Sequence, residues 1–184
     1  MTAGKEKGDK NFPVWAHRFS TLLSGPRKYC SYVKDGQVAA DLGCGPGFYT
    51  LALADCVGNE GKVYAVDSDE KRIQALEKKV ERGGYTNVET HATSASDLSF
   101  IKNESVDFIL ANGLLCCVSP QQLESAVREM KRILKPKGLA YLSAGKGWGS
   151  YMNEEKWNEI IESFRVERSG NPMIGDRWAT VSKK

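Results

Sequence analysis

The 184-residue sequence predicts an α/β fold, a three-layer, doubly wound and mostly parallel sheet. Three observations carry this. Strand-like and helix-like segments alternate through most of the chain. A glycine-rich turn, Gly43-Cys44-Gly45-Pro46-Gly47, joins the first strand to the first helix. A later run, Val106-Asp-Phe-Ile-Leu-Ala111, is apolar almost throughout, as a central strand covered on both faces requires.

Residues 1–11 read as a flexible polar tail. From Phe12 to Val33 apolar residues recur at roughly helical spacing, broken at Gly25-Pro26, which predicts an interrupted helical lead-in. Gln37 to Leu42 is the first strand and Phe48 to Val57 the helix after the turn. Lys62 to Val66 is the second strand. Asp67-Ser68-Asp69 offers caps for a helix over Glu70 to Arg82, which turns Ile73, Leu76 and Val80 inward and stops at Gly83-Gly84. Asn87 to Ala92 and Val106 to Ala111 are the third and fourth strands, and a helix follows from about Pro120 to Leu134. Lys135-Pro136-Lys137-Gly138 reads as the turn into a fifth strand, Leu139 to Ser143. Asn153 to Phe164 is helical again, and short strands near Arg165 to Arg168 and Arg177 to Ser182 form a hairpin around Gly170-Asn171-Pro172.

Composition narrows the functional classes. At 41% hydrophobic and 27% charged residues the chain is globular. Its formal charge of +3, evenly spread, argues against a nucleic-acid partner. The first ten residues lack a signal-like apolar stretch and no segment has membrane-spanning length, so the expectation is a cytoplasmic protein without a membrane span. Five cysteines, at 30, 44, 56, 116 and 117, with no Cys-x-x-Cys pair, support neither a disulfide framework nor a zinc site. They read as reduced thiols and no metal is expected. A second reading gives Cys116 and Cys117 a soft substrate.

Chemistry is expected at the carboxyl ends of the strands, where doubly wound sheets bind ligands. The turn at Asp41 to Gly47 lies there, and its glycines let main-chain N–H groups meet a ligand closely. A dinucleotide site would place a third glycine at position 48, but the residue is Phe48. With Asp41 two positions before the first glycine, the turn suits a cationic ligand carrying an amino acid end. Asp67 ends the second strand, where such folds place a ribose-binding carboxylate; the plainer role for it is capping the next helix.

With those residues in place, the stretch from about Val38 to Ser143 resembles the class I S-adenosylmethionine-dependent methyltransferases. Val38-Ala-Ala-Asp-Leu-Gly-Cys-Gly-Pro-Gly-Phe-Tyr-Thr50 is similar to the family's first motif, and Tyr64 to Asp67 to its ribose-binding motif. Ser105 to Leu110 resembles its fourth strand, and Arg128 to Gly138 the helix end before its fifth. Within the family, the likeness is to small enzymes of the quinone-biosynthesis type.

The resemblance implies a Rossmann-like sheet of seven strands in the order 3-2-1-4-5-7-6 with a C-terminal hairpin. From its length the chain is expected to form one domain over 12–184, with a helical cap at 12–34, a cofactor-binding core at 37–145, and a C-terminal helix and hairpin at 146–184. S-adenosyl-L-methionine is the implied cofactor. The candidate cofactor residues are Asp41, Gly43, Cys44, Gly45, Gly47, Phe48, Asp67, Ser68, Ser94, Ala95, Asp97 and Asn112. Thr93-Ser94-Ala95-Ser96-Asp97-Leu98 departs from the family: a serine stands where an adenine-binding Asp is usual, which leaves Ser94, the Ala95 backbone and Asp97 as alternatives.

The acceptor side is sparser. Asn112-Gly113-Leu114-Leu115-Cys116-Cys117 holds no acid and no histidine. His17 in the lead-in is the one candidate base, and His91 reads as a buried or edge-strand residue. Methyl transfer from an activated sulfonium depends largely on positioning, so a missing base does not exclude catalysis. Trp15, Phe19, Tyr29, Trp148 and Tyr151 are candidate walls for a small, partly apolar acceptor. A non-catalytic cofactor-binding subunit or sensor is the alternative function, and an NAD(P)-dependent oxidoreductase a lesser one. The sequence leaves monomer and homodimer open.

Overall fold

The computed structural model describes residues 25–146, 152–173 and 175–184. Its centre is one seven-stranded sheet in the order β3-β2-β1-β4-β5-β7-β6, as the resemblance implies. The strands are β1 (Val38–Leu42), β2 (Lys62–Asp67), β3 (Val88–Ala92), β4 (Val106–Ala111), β5 (Leu134–Ala144), β6 (Arg165–Gly170) and β7 (Arg177–Ser182). The first five pair in parallel; β7 runs antiparallel to both β5 and β6. The helices are α1 (Thr50–Val57), α2 (Glu70–Gly83), α3 (Pro120–Ile133) and α4 (Glu154–Glu162), preceded by a 3-10 turn at Pro26–Tyr32.

Alternation along β1 distributes the strand between two layers. Ala40 and Leu42 join the core under α3 and α4, with Leu123, Met130, Trp157 and Ile160. Ala39 joins Tyr29, Leu53, Val57 and Phe108 on the opposite face, under the 3-10 turn and α1. Asp41 has the parity of Ala39, which aims its carboxylate at α1. Burying each large apolar side chain of these layers contributes about 1.5–3 kcal/mol.

Helix ends follow the sequence signals. The Asp69 side chain accepts a hydrogen bond from Lys71 N at the start of α2, and Gly84 closes that helix in the left-handed conformation at φ 68°. Pro120 opens α3 and the Asn153 side chain caps α4 through Lys156 N.

Two expectations need correction. Lys135-Pro136-Lys137-Gly138 is not a separate turn before a strand, because β5 already begins at Leu134, paired with Val106. The register then shifts between Val106 and Phe108, so the Lys-Pro-Lys-Gly run is accommodated as an irregularity within the strand. Pro136 costs nothing there, since bulged positions need no ladder N–H. Lys135 anchors the segment to Asp107 at 2.8 Å.

The second correction concerns the cysteines. Cys30 and Cys56 form a disulfide, while Cys44, Cys116 and Cys117 are free. The 3-10 turn packs on α1 and brings the two Cα atoms to 5.7 Å, inside the range a disulfide spans. A separation of 26 residues gives no local signal of this, because only tertiary packing makes the two meet.

Of the Phe12–Val33 lead-in, only the part from Gly25 on is described, and it holds a 3-10 turn over Pro26–Tyr32. Trp15, His17, Phe19, Trp148 and Tyr151 lie outside the described residues. Among the described residues, no helix is long and apolar enough to cross a membrane.

Candidate functional site

The turn after β1 is stitched to the end of β2. Gly43 N and Cys44 N both donate to Val66 O, at 2.7 and 3.0 Å. The Asp67 carboxylate accepts from Gly45 N at 2.8 Å through Oδ2 and from Asp69 N at 2.9 Å through Oδ1. Asp67 therefore caps the entry to α2 and clamps the glycine turn, and a carboxylate with four acceptor positions retains capacity for a ligand hydroxyl.

The glycines divide by role. Gly43, Gly45 and Gly47 all have positive φ, at 76°, 54° and 83°. A side chain at Gly47 would collide with Leu76 of α2, so that glycine serves packing. A Cβ at Gly45 would meet no atom within 4 Å, which leaves open space over the turn. Gly43 lies under Leu114, whose Cδ1 would stand 3.1 Å from an added Cβ. Cys44 is buried, its thiol directed at Gly45 O and held un-ionised by burial.

Asp41 is buried at the end of β1 and accepts the Thr50 hydroxyl at 2.7 Å. Burial raises its carboxyl to about 7; the Thr50 bond opposes the shift and the Asp67 charge adds to it. A cation docked over the open turn would restore the ionised form. The donor set fits a ligand with an ammonium and ribose hydroxyls: a buried acid at Asp41, a clamped acid at Asp67, and room at Gly45.

Other predicted positions are placed unevenly. Phe48 is 43% exposed and meets Tyr49 edge-on at 4.9 Å. Ser68 is exposed. Ser94 Oγ accepts from Ser96 N and the Ser96 hydroxyl, and Ala95 is buried against the core. Asp97 is exposed with its carboxylate accepting Ser99 N at 3.2 Å, a local turn bond. His91 stands half-buried on the edge strand β3, stacked on Phe100 and bonded to Glu89.

Asn112, just after β4, is a junction. Its Oδ1 accepts the Tyr29 hydroxyl at 2.9 Å and the Ser143 hydroxyl at 3.0 Å, and Gly113 N donates to Ser143 at 2.9 Å. Tyr29 packs on Tyr49 at 4.9 Å and on Tyr141 at 4.7 Å, and burial pushes the Tyr141 phenol up to about 12. The 3-10 turn thus closes over the carboxyl ends of β4 and β5 with aromatic surface.

Sequence reasoning missed Asp176. Arg177 pairs with Ala144, so the residue before β7 lies beside the carboxyl end of β5. A Cβ at Gly145 would stand 3.5 Å from Asp176 Oδ1, and its charge acts on Lys28, Tyr49, Cys116, Cys117 and Tyr141. The only signal in the sequence was an acid next to a strand whose antiparallel direction had to be known. Thr50 and Ser143 were also missed: each acts through a side-chain hydrogen bond, to Asp41 and to Asn112, that spacing alone does not reveal. Among the described residues no group of three or more His, Cys, Asp or Glu could hold a metal ion.

Comparison with known proteins identifies the architecture. Residues 39–138, more than half of the chain, match the family described as a methyltransferase domain. The chain is 36% identical over 106 residues to demethylmenaquinone methyltransferase of Bacillus velezensis and 37% identical over 107 residues to that of Geobacillus stearothermophilus. Each alignment covers 58% of this chain and 44% of the relative, so the chain matches less than half the length of these proteins. A S-adenosylmethionine-dependent methyltransferase from Aquifex aeolicus superposes with TM-score 0.73 at 27% identity, covering 94% of this chain and all of that one. PKMT2 from Rickettsia typhi, solved with S-adenosylhomocysteine, aligns with TM-score 0.55 at 27% identity over 61% of this chain and 22% of its own. The chain belongs to the class I S-adenosylmethionine-dependent methyltransferase family, with S-adenosylmethionine as its cofactor.

Proposed function

We propose that this chain transfers a methyl group from S-adenosylmethionine to a small, partly apolar acceptor by in-line displacement. The observation that carries the reading is one edge of the sheet holding two different surfaces. The open, acid-flanked turn at Asp41, Gly45 and Asp67 adjoins an aromatic and polar patch made by Tyr29, Tyr49, Asn112, Tyr141 and Asp176. The cofactor, when bound, supplies an activated sulfonium methyl.

The chain's own residues do the rest. Asp41 accepts the ligand ammonium and Asp67 the ribose hydroxyls, with Ser68 at the edge. The backbone of Gly43, Cys44 and Gly45, flanked by Gly47 and Phe48, lines the chain of the ligand. Ser94 and Ala95 take the adenine end; Asp97, turned to Ser99, contributes there only through its backbone. Asn112, fixed by Tyr29 and Ser143, orients the acceptor. Asp176 receives the acceptor's proton where one must leave, a role that His17, outside the described residues, was expected to fill. Tyr29, Tyr49 and Tyr141 exclude water.

The likeness to enzymes named demethylmenaquinone methyltransferases supports an apolar, aromatic acceptor. A methyl-transfer screen with tritiated cofactor over quinol precursors, phenols, thiols and amines tests this. Transfer to an aromatic acceptor is the expected result. Tight cofactor binding with no transfer to any member would favour a non-catalytic cofactor-binding subunit instead. A cytoplasmic setting belongs to the same proposal, and acid-trapped alkylation of cell extracts measures how much of the Cys30–Cys56 bond is present there.

A further inference from the structure

Three free thiols lie near the carboxyl edge of the sheet, and two of them form a pair. Cys116 and Cys117 are adjacent in the loop after β4, with Sγ atoms 3.8 Å apart. Consecutive residues of an extended chain would point to opposite sides. Here the loop turns after Gly113, whose φ is 70°, and Cys117 N and Val118 N both donate to Leu114 O. Both thiols consequently converge on one acceptor, Gly113 O, at 3.2 Å from Cys116 and 3.4 Å from Cys117. Cys116 is buried and Cys117 is exposed, so the pair has one anchored sulfur and one reachable sulfur.

We propose that Cys116 and Cys117 form a dithiol site for a soft, thiophilic centre, a d10 metal ion or a trivalent metalloid, held by these two sulfurs alone. A separation of 3.8 Å lets both sulfurs reach one centre at bonds of about 2.3 Å, and soft sulfur ligands select soft ions over hard ones. Because no third His, Cys, Asp or Glu joins a metal-binding group among the described residues, ions that demand three or four protein ligands are disfavoured. Both thiols are hydrogen-bonded to Gly113 O, and thiolate is the ligating form, so binding of a centre releases their protons.

The chemistry balances without an oxidant. A d10 cation replaces the thiol protons, which leave to solvent. An organoarsenic(III) oxide forms two As–S bonds while its oxygen departs as water with both thiol protons, and arsenic keeps its oxidation state. The site does not depend on methyl transfer, although Asn112 and Gly113 connect it to the acceptor patch.

The test uses the full chain as purified, with phenylarsine oxide in one arm and copper(I), competed against a chelator, in the other. Expected is one phenylarsenic per chain, attached to the Cys116–Cys117 peptide, released by a small dithiol and resistant to excess monothiol. Cys117→Ser, at an exposed position, should keep its melting temperature and lose at least tenfold in affinity for the probe that binds. Binding of only one probe identifies the centre as metalloid or metal. Binding of neither, adducts mapping to Cys44, Cys30 or Cys56, or unchanged affinity in Cys117→Ser would overturn the proposal.

Discussion

The two halves of the sheet edge are built differently. The β1–β2 half is compact in sequence: Asp41, the glycine turn and Asp67 lie within 27 residues and are joined by hydrogen bonds of 2.7–3.0 Å. The β4–β5–β7 half gathers Tyr29, Asn112, Ser143 and Asp176 from four distant segments. The first half is a pre-organised receptor whose acids are held in position before any ligand arrives. The second is an aromatic patch with a few adjustable polar groups, and its identity depends on which segments the fold delivers. A shared cofactor needs the former, and acceptor choice resides in the latter.

The comparison is broken most severely at Asp67. Asp67→Ala removes the clamp on Gly45 N and a ribose acceptor together. Charge-assisted bonds are worth about 1.5–3 kcal/mol each, so cofactor affinity should fall by about 100-fold or more, measured by calorimetry. A chain that binds equally well without this carboxylate would leave Asp67 as a helix cap alone.

The strap between the halves comes next. Cys30–Cys56 ties the 3-10 turn, which carries Tyr29, to α1 beside the cofactor turn. Closing a loop of this length stabilises the folded chain by about 3 kcal/mol. Cys30→Ala/Cys56→Ala should lower the urea midpoint accordingly, and an unchanged midpoint would mean that the bond does not form.

Asp176→Asn separates the halves by function. Loss of a proton acceptor should lower kcat for a hydroxyl acceptor by about 100-fold, while cofactor affinity stays within twofold. A parallel loss of cofactor binding would place Asp176 in the wrong half.

The smallest effect is in pH. Asp41 must be ionised to pair with a cation, yet burial raises it to about 7 in the free protein. Cofactor affinity should then be roughly tenfold weaker at pH 6 than at pH 8. Asp41→Asn, which cannot titrate, should flatten this profile. The same shift acts on the free protein in the opposite sense: the protonated acid is favoured by folding, so Asp41's contribution to stability is lost as pH rises from about 4 towards 7.

Legibility in the sequence followed the same division. The turn, its two acids and the alternation of strands and helices are local patterns, and the sheet order followed from the resemblance they carry. The Lys135 to Gly138 run was misread as a turn because Pro and Gly mark both turns and irregular strand positions, and only pairing with Val106 decides between them. The Cys30–Cys56 bond and Asp176 were illegible because each depends on a contact between elements far apart in sequence. Asp97 entered as one of the alternatives in the loop that departs from the family pattern, and its carboxylate accepts a local bond from Ser99 N.

The most direct measurement is calorimetric titration of S-adenosylhomocysteine into the wild-type chain and Gly45→Asn at pH 8. Asn tolerates the positive φ of 54° better than other side chains, and nothing in the protein lies within 4 Å to clash with its Cβ, so the variant should fold. The wild type should bind, and Gly45→Asn should lose binding at nearly unchanged melting temperature, because the side chain fills the ligand's place. Equal binding by both, or none by the wild type, would contradict that expectation.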